Sequence, residues 1–142
     1  MSSENLRNFA VPVDFTSAAL TLTPEAHSGV TVNSNLAATQ AITLPAATGS
    51  GNIYRIYVLI TKTGDLTITT NGSDDLTGGV AVVTDIAGVV VSSDGTDTII
   101  TMNGSTTGGV KGSWVELQDV ASATWRVTGY LVATGTEATP FS

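Results

Sequence analysis

The chain has 142 residues, a formal net charge of −7 and no cysteine. Without cysteine it has no disulfide framework and no thiolate for catalysis or for binding zinc. Only five residues are lysine or arginine, and they are scattered along the chain, so the sequence excludes the basic patch that binding of nucleic-acid phosphates requires.

The hydrophobic content predicts a folded chain. Hydrophobic residues make up 42% of the sequence, more than a disordered chain of high net charge contains. No apolar run approaches the length that crosses a bilayer, and the first nine residues carry no apolar segment of signal-peptide type. We therefore expect one soluble domain with no membrane partner.

Residues 1–19 differ from the rest, because they combine large apolar residues with a proline and show little alternation. This pattern is typical of an extended arm, which either frays like many chain termini or docks on a neighbouring subunit. Large apolar side chains favour docking, since a solvated tail gains nothing from them. The residues predicted to make this contact are Arg7, Phe9, Val11, Val13 and Phe15.

From residue 20 onward, apolar residues and threonines alternate with a period of two. The runs Leu20–Thr23, Ile42–Leu44 and Leu66–Thr69 show this alternation, which predicts half-buried strands. Residues 53–60 are nearly all apolar and predict a central strand that is covered on both faces.

Turn signals separate these runs at regular intervals. Asn71-Gly72 and Asn103-Gly104 are the clearest, because both residue types accept a positive φ. Short strands at such spacing predict an all-β, single-domain sandwich or barrel of jelly-roll type over residues 20–142, with an extended N-terminal arm.

Aromatic residues fall within the strand-like stretches. Tryptophans in such folds stack on sugars in some proteins, but more often they fill a core or an interface. We predict packing or interface roles for Tyr54, Tyr57, Trp114, Trp125 and Tyr130.

Candidate catalytic and metal-binding residues are few. His27 is the single histidine and lies in a turn-like stretch, away from any recognisable nucleophile. The acidic pairs Asp74-Asp75 and Asp94/Asp97 do not have the spacing of the twelve-residue calcium loop. We therefore predict no catalytic residue, no metal site and no cofactor.

Several phrases of the sequence resemble small virion proteins of tailed bacteriophages. They are Leu22–Gly29, Ile42–Gly51, Gly112–Leu117, Trp125–Gly129 and Ala138–Phe141. Over residues 20–142 the chain is similar to capsid decoration, or cement, proteins. The resemblance implies a β-rich, non-enzymatic homotrimer that stabilises the capsid exterior by binding the major capsid protein. It also implies a place on the virion surface after assembly in the bacterial cytoplasm.

Two other hypotheses remain open at the level of sequence. The chain is alternatively a tail-fibre or head-fibre module, whose exposed aromatic residues bind host-surface glycans. An enzyme of glycosidase type would need a pair of carboxylates in a cleft, and the isolated acidic residues do not indicate one.

Overall fold

Strands form wherever β-branched residues and threonine recur, because these side chains fit a pleated, half-buried surface. The computed structural model of the protein describes residues 11–142. Within this range the strands are β1 (Val13–Phe15), β2 (Ala19–Thr21), β3 (Thr31–Ser34), β4 (Gln40–Thr43), β5 (Ile53–Val58), β6 (Leu66–Thr69), β7 (Asp75–Val83), β8 (Gly88–Ser92), β9 (Ile99–Met102), β10 (Trp114–Ala121) and β11 (Thr124–Val132), and the helix is α1 (Pro24–His27). The predicted all-β character is confirmed.

The strands form two sheets. The larger has seven strands in the order β1-β3-β5-β10-β11-β7-β8, and the smaller has four in the order β2-β4-β6-β9. The first six strands alternate between the sheets, and each pairs in parallel with the strand two positions later or earlier. From β1 to β6 the chain therefore winds back and forth between the two sheets and forms parallel pairs in each. The later strands extend both sheets.

The pairing pattern differs from the antiparallel arrangement of a jelly roll. Five of the nine pairings are parallel, namely β1–β3, β3–β5, β2–β4, β4–β6 and β7–β11. Parallel neighbours need a crossover between them, and here the other sheet supplies it. The sequence pattern predicts most of the strands, but period-two alternation is the same for parallel and antiparallel partners.

Both sheets contribute to one hydrophobic core. In the larger sheet Ile56 and Leu117 point inward, and in the smaller sheet Ile42, Ile68 and Ile100 do so. Each of these side chains is fully buried. Because strand residues alternate between faces, the remaining residues of β5, β10 and β11 form an outer face that meets solvent.

The structure corrects the predicted N-terminal arm in part. Residues 13–15 form β1, which pairs in parallel with β3, and residues 19–21 form β2, which pairs with β4. Phe15 is buried in the domain's own core. The arm thus does not extend to residue 19, because its apolar anchors complete the sheets. Residues 1–10, including the predicted contacts Arg7 and Phe9, lie outside the described residues.

A buried polar cluster around Gln40 of β4 holds the connection between β1 and β2 in place. The Gln40 side-chain amide donates to the carbonyl oxygens of Phe15 and Ser17, at 3.0 and 2.8 Å. Its carbonyl oxygen accepts from the Ser34 hydroxyl and from the Lys62 ammonium. Burial lowers the pKa of Lys62 below its ordinary value. A buried amide with all its groups paired fixes the position of the connection between β1 and β2.

Two predicted turns are confirmed by backbone geometry. Gly72 and Gly104 have φ values of 84° and 78°, which glycine adopts without steric cost. Gly104 also lies against the backbone of Lys62, where a side chain would collide.

The hairpin between β10 and β11 carries a strained residue. Ala123 has a φ of 56°, the one positive value at a non-glycine residue within residues 11–142. We expect Ala123→Gly to raise the free energy of unfolding by about 0.5–1 kcal/mol, because glycine removes the left-handed penalty. Denaturant unfolding of the two proteins measures this change. An unchanged or lower stability would show that the loss of unfolded-chain entropy outweighs the strain.

Candidate functional site

The five aromatic residues singled out in the sequence separate into two groups. Tyr54 and Trp125 are buried, with ring centroids 5.7 Å apart and ring planes at 65°. This edge-to-face pair lies in the core, so Tyr54 and Trp125 have a packing role. Tyr57, Trp114 and Tyr130 instead lie on the outer face of the larger sheet.

The three outer residues form one row. Trp114 on β10 pairs directly with Tyr57 on β5 and with Tyr130 on β11. Residues in direct register on neighbouring strands project from the same face of a sheet. Trp114 is 40% exposed and Tyr130 is 44% exposed. We call Tyr57, Trp114 and Tyr130 the aromatic row.

Polar side chains adjoin the aromatic row. The Arg55 Nε donates to the Glu116 carboxylate at 3.1 Å. These two residues are paired in register, two residues along their strands from Tyr57 and Trp114. On the β3 side of Tyr57, Asn33 donates through its side-chain amide to Asp14 at 3.1 Å. The row therefore offers flat apolar rings beside charged and amide groups that form hydrogen bonds.

A second exposed feature is the strand β8 and the turn before it. Ile86 in the turn is 98% exposed and Val90 in the strand is 79% exposed. The strand sequence Gly88–Ser92 contains no charge and no proline. We call β8 together with Ile86 the apolar edge.

The backbone of the apolar edge has unpaired groups that face away from β7. Thr84 donates to the Ala87 carbonyl and Ser93 donates to the Gly78 carbonyl, which fixes the phase of the antiparallel ladder. Hydrogen-bonded pairs alternate with non-hydrogen-bonded pairs in such a ladder. The N–H and C=O groups of Val90 therefore point outward, and no strand within residues 11–142 meets them.

The other sheet edges are shorter or covered. Strands β1 and β2 have three residues each. At β9, the C-terminal residues run alongside the strand: Thr101 donates to the Pro140 carbonyl, and Ser142 both donates to and accepts from Ile99. Of the edges in the described part of the chain, β8 is thus the longest one without a partner.

The N-terminal contact residues have different environments. Val11 is 58% exposed, and Val13 on the edge strand β1 is 37% exposed, whereas Phe15 is in the core. Only the first two are accessible to a neighbour among the described members of the predicted set.

Asp119 is the most elaborately bonded acidic residue. Its carboxylate accepts from the backbone N–H groups of Thr48, Gly49 and Ser50. It also accepts from the side-chain hydroxyl of Thr48 and from that of Ser50. Burial by itself would raise the pKa of Asp119, but the Ser50 hydroxyl and the three backbone donors outweigh it and hold the pKa below its ordinary value. Asp119 thereby fixes the loop before β5 to β10.

The residues considered for catalysis or metal binding have structural partners. The His27 Nδ1 accepts from the Thr23 backbone N–H at 2.9 Å. Asp94 accepts from Thr96, and Asp97 accepts from the Asp94 backbone N–H, so both acids stabilise their own turn. Across residues 11–142, His, Asp and Glu form no group of three that would hold a metal ion.

Comparison with protein-family models, with curated proteins and with solved structures found no significant match for this chain. In the described range, no helix has the length and apolar character needed to span a bilayer. The candidate functional surfaces of the described residues are the aromatic row and the apolar edge.

Proposed function

We propose that the protein is a non-enzymatic structural component of a tailed-bacteriophage virion, which decorates and stabilises the capsid exterior as a homotrimer. The observation that carries the proposal is the apolar edge, because it is a surface built for association. The resemblance of the sequence to decoration proteins supports the choice of the capsid as the place of assembly. The proposal does not depend on the jelly-roll topology that the sequence predicted.

An open strand edge normally carries features that prevent pairing. Natural proteins protect such edges with lysine, proline, bulges or a covering segment. Strand β8 has no lysine and no proline, and Val89, Val90 and Val91 follow one another along it. An edge of this kind in an abundant protein would aggregate unless a fixed partner covered it, and the partner we propose is a neighbouring copy of the chain.

The charges beside β8 favour a cyclic arrangement over a two-fold one. Asp85 precedes the strand and Asp94 follows it. Two β8 strands paired antiparallel about Val90 would bring the Asp85 turn of one copy beside the Asp94 turn of the other, and like charges across strands are destabilising. A heterologous contact, in which β8 meets a different surface of the next copy, avoids this, and it forms a closed ring of three when the rotation between neighbouring copies is one third of a full turn.

We expect the protein to have three times the mass of its 14.4 kDa chain in solution, and Val90→Lys to reduce it to the monomer. A lysine at the centre of the edge would place an unpaired charge within the contact. Size-exclusion chromatography with light scattering measures both masses. Val120→Lys is the matched control, since Val120 is 44% exposed on β10 and lies away from the edge.

A monomeric wild-type protein, or a Val90→Lys variant that stays trimeric, would contradict the contact at β8. Co-sedimentation with purified phage heads tests the capsid role separately. We expect the trimer to sediment with the heads and the Val90→Lys variant to do so much less, because many linked weak contacts act together. A trimer that does not bind heads would contradict the decoration role but not the trimer contact.

A further inference from the structure

The aromatic row has the composition of a ligand platform and not of a sheet-to-sheet contact. Its rings lie on three adjacent strands, which stand about 4.8 Å apart, so the row extends about 10 Å across the sheet. The rings of Trp114 and Tyr130 are nearly half exposed and that of Tyr57 is partly buried, whereas the packing residue Trp125 is fully buried. Polar groups border the row at Arg55 and Glu116 and at Asn33, whereas on the β7 side Ala81 and then Val90 of the apolar edge continue it.

The chemistry beside the rings indicates the kind of ligand. A pyranose ring has an apolar face of C–H groups and a rim of hydroxyls, so it needs a flat aromatic surface with hydrogen-bonding groups at its border. The indole of Trp114 supplies such a surface. Arg55 and Glu116 supply a donor and an acceptor, and Asn33 supplies an amide at the other border.

The charge near the row indicates a neutral ligand. Arg55 is already paired with Glu116, and Asp14 lies beside Asn33. In the register next to the row the Arg55 charge is balanced by Glu116, and the whole chain carries −7. An acidic sugar would meet repulsion, whereas an uncharged one would not. The width of the row suits more than one sugar unit.

We infer that the aromatic row of Tyr57, Trp114 and Tyr130 is a binding platform for a neutral oligosaccharide. This goes beyond the assembly role, and the row lies on the same outer face as Val90 of the apolar edge, which is two strands from Tyr130. Tyr54 and Trp125 are in the core and take no part.

The test is a printed array of neutral and sialylated oligosaccharides, followed by titration with the best neutral compound. We expect the wild-type protein to bind neutral compounds in preference to sialylated ones. Trp114→Ala and Tyr130→Ala should each weaken binding at least ten-fold. Arg126→Ala is the matched control, because Arg126 is exposed on the same face of β11 and lies outside the row.

Tryptophan emission gives a second readout. The chain has two tryptophans, and Trp125 is fully buried, so a ligand-induced change in emission should come from Trp114 and vanish in Trp114→Phe. The inference is overturned if the wild-type protein binds no neutral oligosaccharide, or if the Ala variants bind as well as the wild type. It is also overturned if Trp114→Ala dissociates the trimer, since the row would then be a contact between copies.

Discussion

Replacement of Trp125 by alanine is expected to lower the free energy of unfolding by about 3–5 kcal/mol. Trp125 is completely buried and lies edge-to-face against Tyr54. Its removal leaves a large cavity between the sheets, because the strands on both sides are held by their ladders. Within residues 11–142 the indole N–H has no hydrogen-bond partner, so we attribute the expected loss to packing.

The second tryptophan of the chain is the natural control. Trp114 is 40% exposed, so Trp114→Ala should cost about 1 kcal/mol or less. Urea denaturation followed by far-UV circular dichroism measures both variants on one scale. Equal losses for the two tryptophans would contradict the separation of the aromatic residues into a core pair and an exposed row.

Asp119→Ala is expected to lower the free energy of unfolding by roughly 2–4 kcal/mol. The carboxylate accepts from three consecutive backbone N–H groups, at 3.0, 2.6 and 3.2 Å for Thr48, Gly49 and Ser50. Alanine leaves these donors without an acceptor in a partly buried loop, where an unpaired donor is costly. The loop between β4 and β5 should then loosen, while backbone hydrogen bonds such as that from the Gly51 N–H to the Asp119 carbonyl oxygen still join it to β10.

The pH dependence follows from the lowered pKa of Asp119. Between the lowered pKa of the folded state and the ordinary value of 3.8, the Asp119 carboxylate is protonated in the unfolded chain but not in the folded one. The contribution of Asp119 is therefore present above pH 3.8 and is lost as the pH falls through the folded pKa. We expect the stability of the wild-type protein to fall more steeply with acid than that of Asp119→Ala.

Thermal unfolding between pH 2.5 and 7 measures both effects. Glu116→Ala is the control, because Glu116 is a carboxylate on the same strand whose ion pair with Arg55 is exposed, and such pairs contribute about 1 kcal/mol or less. If Asp119→Ala and Glu116→Ala have the same stability at pH 7, the loop contacts of Asp119 do not stabilise the fold as proposed.

Sequence patterns located most of the strands because local chemistry decides them. Leu66–Thr69 alternates in the sequence and is strand β6 in the structure, and the turns at Gly72 and Gly104 lie where asparagine and glycine occur together. In contrast, the strand β1 was missed. Its three residues, Val13, Asp14 and Phe15, are too few to establish a period of two, and the strand exists because β3 offers an edge for pairing and Gln40 binds the carbonyl oxygen of Phe15.

The candidate sites show the same division. Sequence alone identified the five aromatic residues but did not separate Trp114 from Trp125, since both precede valine-containing strand segments. Asp119 was one of several isolated acids, and only the approach of the Thr48–Ser50 loop distinguishes it. The position of Val89–Val91 at the end of the larger sheet depends on strand order, which the sequence pattern does not indicate.

The amino-acid sequence by itself determined the all-β character, the acidic and cysteine-free composition, and the positions of the tight turns, because these depend on local propensity and charge. The tertiary structure decided which strands are parallel, which aromatic rings are buried, and which edge is open. Those properties depend on pairing between distant residues, such as Tyr57 and Tyr130 on either side of Trp114, and one sequence pattern is compatible with several pairings.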